Sequence, residues 1–148
     1  LQVVSTNFND THGVSVTVVT NTTAYNSTSL TPIESASITP VSSTSYFYVS
    51  ITGGFSQSTG TRSQILLTRN YTAGTNVYAA NDYIWYDHYG LYNNTGGDLY
   101  TPGSFSYMDK TQDQTVGVAR TYYWFGGTIG GGTQLFRGIN VTVMEIAV

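Results

Sequence analysis

The sequence predicts an all-β chain folded as a two-sheet antiparallel sandwich, and three observations carry that prediction. Charged residues make up only 9% of the 148 positions and aromatics reach 14%, whereas soluble domains average about 25% charged. Thirteen tyrosines, abundant Thr and few Glu, Lys or Ala favour half-buried pleated surfaces over helices. Apolar and polar residues alternate in short runs separated by Gly, Ser and Thr turns, with no helical period anywhere.

The elements follow in order. Val14, Val16 and Val18 alternate with Ser15 and Thr17, as in a half-buried strand. The polar stretch NTTAYNSTSLTP reads as a loop leading through Pro32 to a short strand with Ile33, Ser35 and Ser37, stopped by Pro40. SYFYVSITG puts Phe47, Val49 and Ile51 on one face and Tyr46, Tyr48 and Ser50 on the other, and Gly53-Gly54 is expected to end it. GFSQSTGT then makes a turn into RSQILLTRN, so residues 46–69 are expected to form an antiparallel hairpin. Residues 76–100 are irregular and aromatic, and they read as a short strand with a long loop.

SFSYMD is another short strand, and VGVARTYYWFGG a longer one with Tyr122 and Trp124 opposite Tyr123 and Phe125. The glycines of GTIGGGTQ are expected to close a hairpin onto the last strand, FRGINVTVMEIAV. There Ile139, Val141, Val143 and Glu145 alternate with Asn140, Thr142, Met144 and Ile146, and apolar groups on both faces place this strand centrally. About eight strands or more, without an internal repeat, fit a sandwich of jelly-roll type. The length suits one domain over residues 1–148, with residues 1–10 available as an extended N-terminal arm.

Composition excludes several functions. The five basic residues, Arg62, Arg69, Lys110, Arg120 and Arg137, are scattered and the net charge is −3, which argues against a nucleic-acid partner. No apolar run is long enough for membrane insertion, and the first residues lack a signal-peptide pattern. Without Cys there is no disulfide framework and no thiolate metal site. His12 and His88 stand without a nucleophile elbow, and GTIGGGTQ lacks the Lys and helix of a phosphate cradle, so no catalytic residue and no cofactor is assigned. Asp82, Asp87, His88 and Asp98 match no calcium-loop spacing, and no metal is assigned either. The chain reads as a non-enzyme.

The segment from Asn81 to Tyr100 carries the candidate ligand site: Tyr83, Trp85, Tyr86, Asp87, His88, Tyr89, Tyr92 and Tyr100. Flat rings beside carboxylates and amides suit a sugar, which has apolar C–H faces rimmed by hydroxyls, and they equally suit subunit packing. Tyr46, Tyr48, Tyr122, Trp124, Met144 and Ile146 are the candidate subunit interface. Arg120 or Arg137 would pair with Glu145 if that acid is buried. Six sequons occur, at Asn9, Asn21, Asn26, Asn70, Asn93 and Asn140, the last inside the central strand where a glycan is not expected to fit.

SYFYVSITGGFSQ, RSQILLTRN, SFSYMDK, TYYWFGG and above all FRGINVTVMEI resemble the jelly-roll domains of phage tail fibres and other virion proteins, which look like tumour necrosis factor and complement-type globular heads. The resemblance runs over roughly residues 10–148, and the aromatic insertion at residues 78–100 departs from it. It implies a homotrimer with aromatic residues near a threefold axis. The function expected is therefore a virion structural protein of a phage-like virus, a fibre tip or capsid decoration at the virion surface or outside the cell. Its partners would be its own copies, other virion proteins and a host-surface glycan. The alternative is a glycosylated archaeal-type filament subunit, with LQVVST as a strand donated to the next subunit.

Overall fold

The computed structural model describes residues 1–8, 14–17, 32–57, 62–72, 83–92, 99–129 and 133–148, and strands are the only regular elements among them. They are β1 (Gln2–Phe8), β2 (Val14–Thr17), β3 (Glu34–Ile38), β4 (Tyr46–Gln57), β5 (Arg62–Arg69), β6 (Tyr83–Tyr92), β7 (Leu99–Asp109), β8 (Arg120–Ile129) and β9 (Thr133–Ile146). One antiparallel sheet has the order β1-β9-β4-β7, with β2 also on β9, and the other has β3-β8-β5-β6. β1 and β2 lie end to end along β9: Gln2 pairs with Glu145 and Phe8 with Ile139, then Val14 pairs with Phe136 and Thr17 with Thr133. Residues 2–8, read from sequence as a candidate arm, thus belong to the first sheet. Apart from β5 and β6, strands consecutive from β2 onward sit in opposite sheets, and this winding makes the sandwich a jelly roll.

That winding overturns two expected hairpins. β4 and β5 lie in different sheets, as do β8 and β9, so neither pair is hydrogen-bonded together. Alternation encodes which face of a strand is buried, not which strand lies beside it. Three strand limits also shift. β4 runs past Gly53-Gly54 to Gln57, because Phe55 pairs with Phe136 and both rings are fully buried. Residues 83–92 form a ten-residue strand within the stretch expected to be a short strand with a long loop. β8 begins only at Arg120, since Val116 and Val118 are exposed in a turn that contains Gly117 at φ 79.

The core is formed by the two inner faces. Phe47, Val49, Ile51 and Phe55 of β4 and Phe136, Ile139, Val141 and Val143 of β9 meet Ala36, Ile38, Ile65, Leu67, Tyr122 and Trp124 of the second sheet. Val49 pairs directly with Val143 and Ile51 with Val141, β-branched side chains that suit a pleated, buried surface. Each such side chain stabilises the fold by about 1.5–3 kcal/mol on burial. β9 carries an extra residue where its register with β4 shifts between Thr52 and Gly54. Gly138 takes φ 57 there, and the bulge lets Phe136 and Ile139, three residues apart, both be buried in the core. β9 is central, as its two apolar faces predict.

Candidate functional site

Three regions hold the candidate residues and the buried charges of the described part. The first is β6, an edge strand of the second sheet, hydrogen-bonded on one side to β5. Its register sets Tyr83 opposite Thr68, Trp85 opposite Leu67, Tyr86 opposite Leu66, Asp87 opposite Ile65 and Tyr92 opposite Arg62. Two register shifts interrupt this pairing, and such bulges twist an edge and re-aim its side chains. His88 and Tyr89 lie on the same strand, and Tyr100 is on β7 opposite Ser56. The side chains of all eight candidate ligand residues, and residues 93–98 entirely, lie outside the described part. The structure therefore places the candidates by backbone: seven on one edge strand and Tyr100 on the other sheet.

The second region is the outer face of the first sheet. Tyr46 pairs with Ile146, and one continuous row runs Val3, Met144, Tyr48, Met108 across β1, β9, β4 and β7. The next row is Ser5, Thr142, Ser50, Ser106, all hydroxyls. Four of the six interface candidates, Tyr46, Tyr48, Met144 and Ile146, share this face and are partly exposed. Tyr122 and Trp124 are fully buried between the sheets instead, which removes them as contact residues in the folded chain. In the alternation of β8, Tyr122 and Trp124 take the inner positions.

The third region, at one end of the sandwich, is a polar lock that inspection of the sequence misses. Asp109 on β7 is buried, and its Oδ2 accepts from Tyr122 Oη at 2.9 Å and from Arg120 at 3.4 Å, with Arg69 Nε at 3.5 Å. Asp113 accepts from Arg69 at 2.9 Å and from Arg120. The Arg120 guanidinium also lies 5.1 Å from the centre of the Phe47 ring. Burial pushes the Tyr122 hydroxyl well above its ordinary value, and the neighbouring Asp109 charge adds to this. Burial would raise the Asp113 carboxyl, but the Arg120 hydrogen bond and the charges of Arg69 and Arg120 outweigh it and hold the group below its ordinary value. Gln114 fastens the same end by donating to the carbonyls of Ser45 at 2.9 Å and Ser42 at 3.2 Å.

Glu145 is buried, but its carboxylate is not held by Arg120, and the side chain of Arg137, the other arginine considered, lies outside the described part. The Glu145 carboxylate accepts from the backbone N–H groups of Val41 and Ser42 at 3.0 and 3.1 Å. The Gln2 amide, turned to donate, reaches Glu145 Oε2 at 3.1 Å and the Thr39 carbonyl at 2.9 Å. Arg120 is committed to Asp109 and Asp113 instead. One signal was available in the sequence: in a chain so poor in charge, an Arg and an Asp inside strands must find partners when buried. Among the described residues, no group of three or more His, Asp or Glu is placed to hold a metal ion.

No family model matches the chain, and no curated protein matches it. Solved structures do. The chain is similar to the VP2 protein of infectious bursal disease virus in a D431N mutant from derived T=1 particles, at 16% identity and TM-score 0.51. That match covers 97% of this chain and 32% of the other. VP2 in a subviral particle of the same virus matches at 12% identity and TM-score 0.51, over 97% of this chain and 33% of that one. The chain thus spans about a third of the length of the proteins it matches. These neighbours are viral capsid proteins, and the likeness establishes the β-sandwich fold. The tail-fibre and tumour necrosis factor-type heads suggested by the sequence have no counterpart among these matches.

Proposed function

We propose that this jelly roll is a structural domain of a virus particle, working by assembly and recognition rather than by chemistry. The observation that carries the reading is the strand order, wound between two sheets and superposable on capsid VP2 over 97% of the chain. In this reading copies of the domain associate around a threefold axis at the virion surface or outside the cell. The uncharged outer face with Tyr46, Tyr48, Met144 and Ile146 meets the neighbouring copy or another virion protein. The aromatic edge strand β6 faces a host-surface glycan. The filament alternative would give the N-terminal strand to a neighbouring subunit, whereas Gln2–Phe8 here fill that place beside β9 in their own chain, which favours the particle reading.

Sedimentation and negative-stain imaging of the purified chain test the proposal. Trimers or closed shells are expected, and a chain that stays monomeric at high concentration would count against it. Glycan arrays test the recognition step: Tyr86→Ala, at the position opposite Leu66 rather than opposite a core residue, should lose any glycan signal without changing the sedimentation of the assembly.

A further inference from the structure

Six sequons compete in this sequence, and the fold separates the two whose side chains are described. Asn140 lies on central strand β9 with both ends of its amide engaged. Its Nδ2 donates to Ser5 Oγ at 3.2 Å on the neighbouring β1, and its Oδ1 accepts from Thr142 Oγ1 at 3.0 Å. A glycan on that nitrogen would have to displace its bond to Ser5 and stand between the paired strands β1 and β9.

Asn70 is built the other way. It follows β5, is exposed, and takes φ 51, the left-handed region that Asn tolerates better than most residues. Its backbone N–H donates to the Thr121 carbonyl at 2.8 Å, and its Oδ1 accepts from the Thr121 N–H at 3.2 Å. The oxygen side of the amide is therefore fixed, while Nδ2 meets no acceptor among the described residues. The next residue anchors the turn, since the Tyr71 ring sits edge-on to Phe125 at 4.9 Å and to Tyr123 at 5.7 Å. Thr72 completes the Asn-Tyr-Thr sequon.

We infer that Asn70 is an N-glycan acceptor and that Asn140 is not. The co-reactant is an oligosaccharide activated as a lipid diphosphate. The Asn70 Nδ2 bonds to the sugar C1, the C1–O bond to the diphosphate breaks, the diphosphate leaves as an anion, and the nitrogen gives up one proton. The product amide keeps its carbonyl oxygen, so the bond from Thr121 N–H survives, and the sugar projects from an exposed turn. This inference is independent of the particle reading, because it concerns one side chain and not assembly.

The test is secretion of the whole chain from a glycosylating host, followed by site-by-site mass spectrometry of the folded product. Occupancy at Asn70 is expected to be several-fold or more above that at Asn140. Enzymatic release of the glycan in heavy-oxygen water should leave a labelled aspartate at position 70. Thr72→Ala should abolish the modification there, and Thr72→Ser should keep it. An unmodified Asn70 beside a normally modified control glycoprotein overturns the inference, as does a folded product glycosylated at Asn140.

Discussion

Tyr122 Oη donates to Asp109 Oδ2 at 2.9 Å, tying β8 of one sheet to β7 of the other by a side-chain bond at one end of the sandwich. Tyr122→Phe keeps the ring's packing against Phe47 and removes this tie. Hydrogen bonds to charged groups contribute about 1.5–3 kcal/mol, and urea unfolding should show a loss of that order. The alkaline limb also carries a sign. The folded pKa of Tyr122 lies above its ordinary 10.0, so the contribution is complete below pH 10 and falls as pH rises further. The Phe variant should show a flatter decline there than the parent.

Asp113 acts at the opposite extreme. Its folded pKa lies below the ordinary 3.8, so its contribution is present above that value and is lost as pH falls through the folded pKa. The side chain is 56% exposed, and solvent screening keeps the effect near the 0–1 kcal/mol typical of surface pairs. Asp113→Asn should shallow the acid limb of a thermal-stability profile and leave the neutral region almost unchanged.

Glu145→Ala would strip the buried acceptor from two part-buried backbone N–H groups, those of Val41 and Ser42. Leaving such donors unpaired costs about 1–3 kcal/mol each. Chemical denaturation should register a loss in that range or beyond, with faster amide exchange at Val41 and Ser42. Unchanged exchange at both positions would show that the carboxylate does not hold these groups.

Gly103 has no room for a side chain. A Cβ there would lie 2.7 Å from Phe55 Cδ2 and 2.8 Å from Cε2. Phe55 cannot retreat, because Phe105 and Phe136 stand edge-on to it at 5.4 and 5.6 Å. Gly103→Ala should therefore destabilise by about the 1–3 kcal/mol of an overpacked core, measured as a shift in the unfolding midpoint at constant slope.

Assembly is predicted to separate from stability. Tyr48→Arg and Met144→Asp place charges on the outer face of the first sheet, so they should abolish self-association in sedimentation while leaving the melting temperature nearly unchanged. Trp124→Ala, by contrast, should unfold the chain, since removing a buried Trp costs about 3–5 kcal/mol.

Much of this fold is legible in the sequence because alternation is a local signal. Phe47, Val49 and Ile51 face in and Tyr46 and Tyr48 face out, as the pattern of β4 predicts, and β9 is central as its apolar faces require. Strand partners are not local. β4 finds β9 and β7 rather than β5, and nothing in SYFYVSITG names those neighbours. β6 was hidden for another reason: register shifts break its pairing, and Asp87, His88 and Gly90 mask any alternation. The polar lock was illegible because Arg69 and Asp113 lie 44 residues apart and meet only once two loops and two sheets are in place. Of the candidate ligand residues, the fold puts seven on edge strand β6 and Tyr100 on β7 in the other sheet, a separation that their closeness in sequence does not show.

β9 is the last strand in chain order, yet it separates β1 and β2 from β4. A ribosome therefore delivers both flanks of the first sheet long before the piece that joins them, and their edge donors and acceptors stay open in the meantime. The loop-closure entropy of joining Gln2 to Glu145 falls due only once Glu145 has emerged. Until Thr133 and the residues beyond it emerge, β1, β2 and one side of β4 lack their partner in the first sheet, and unpaired strand edges are where premature association between copies begins.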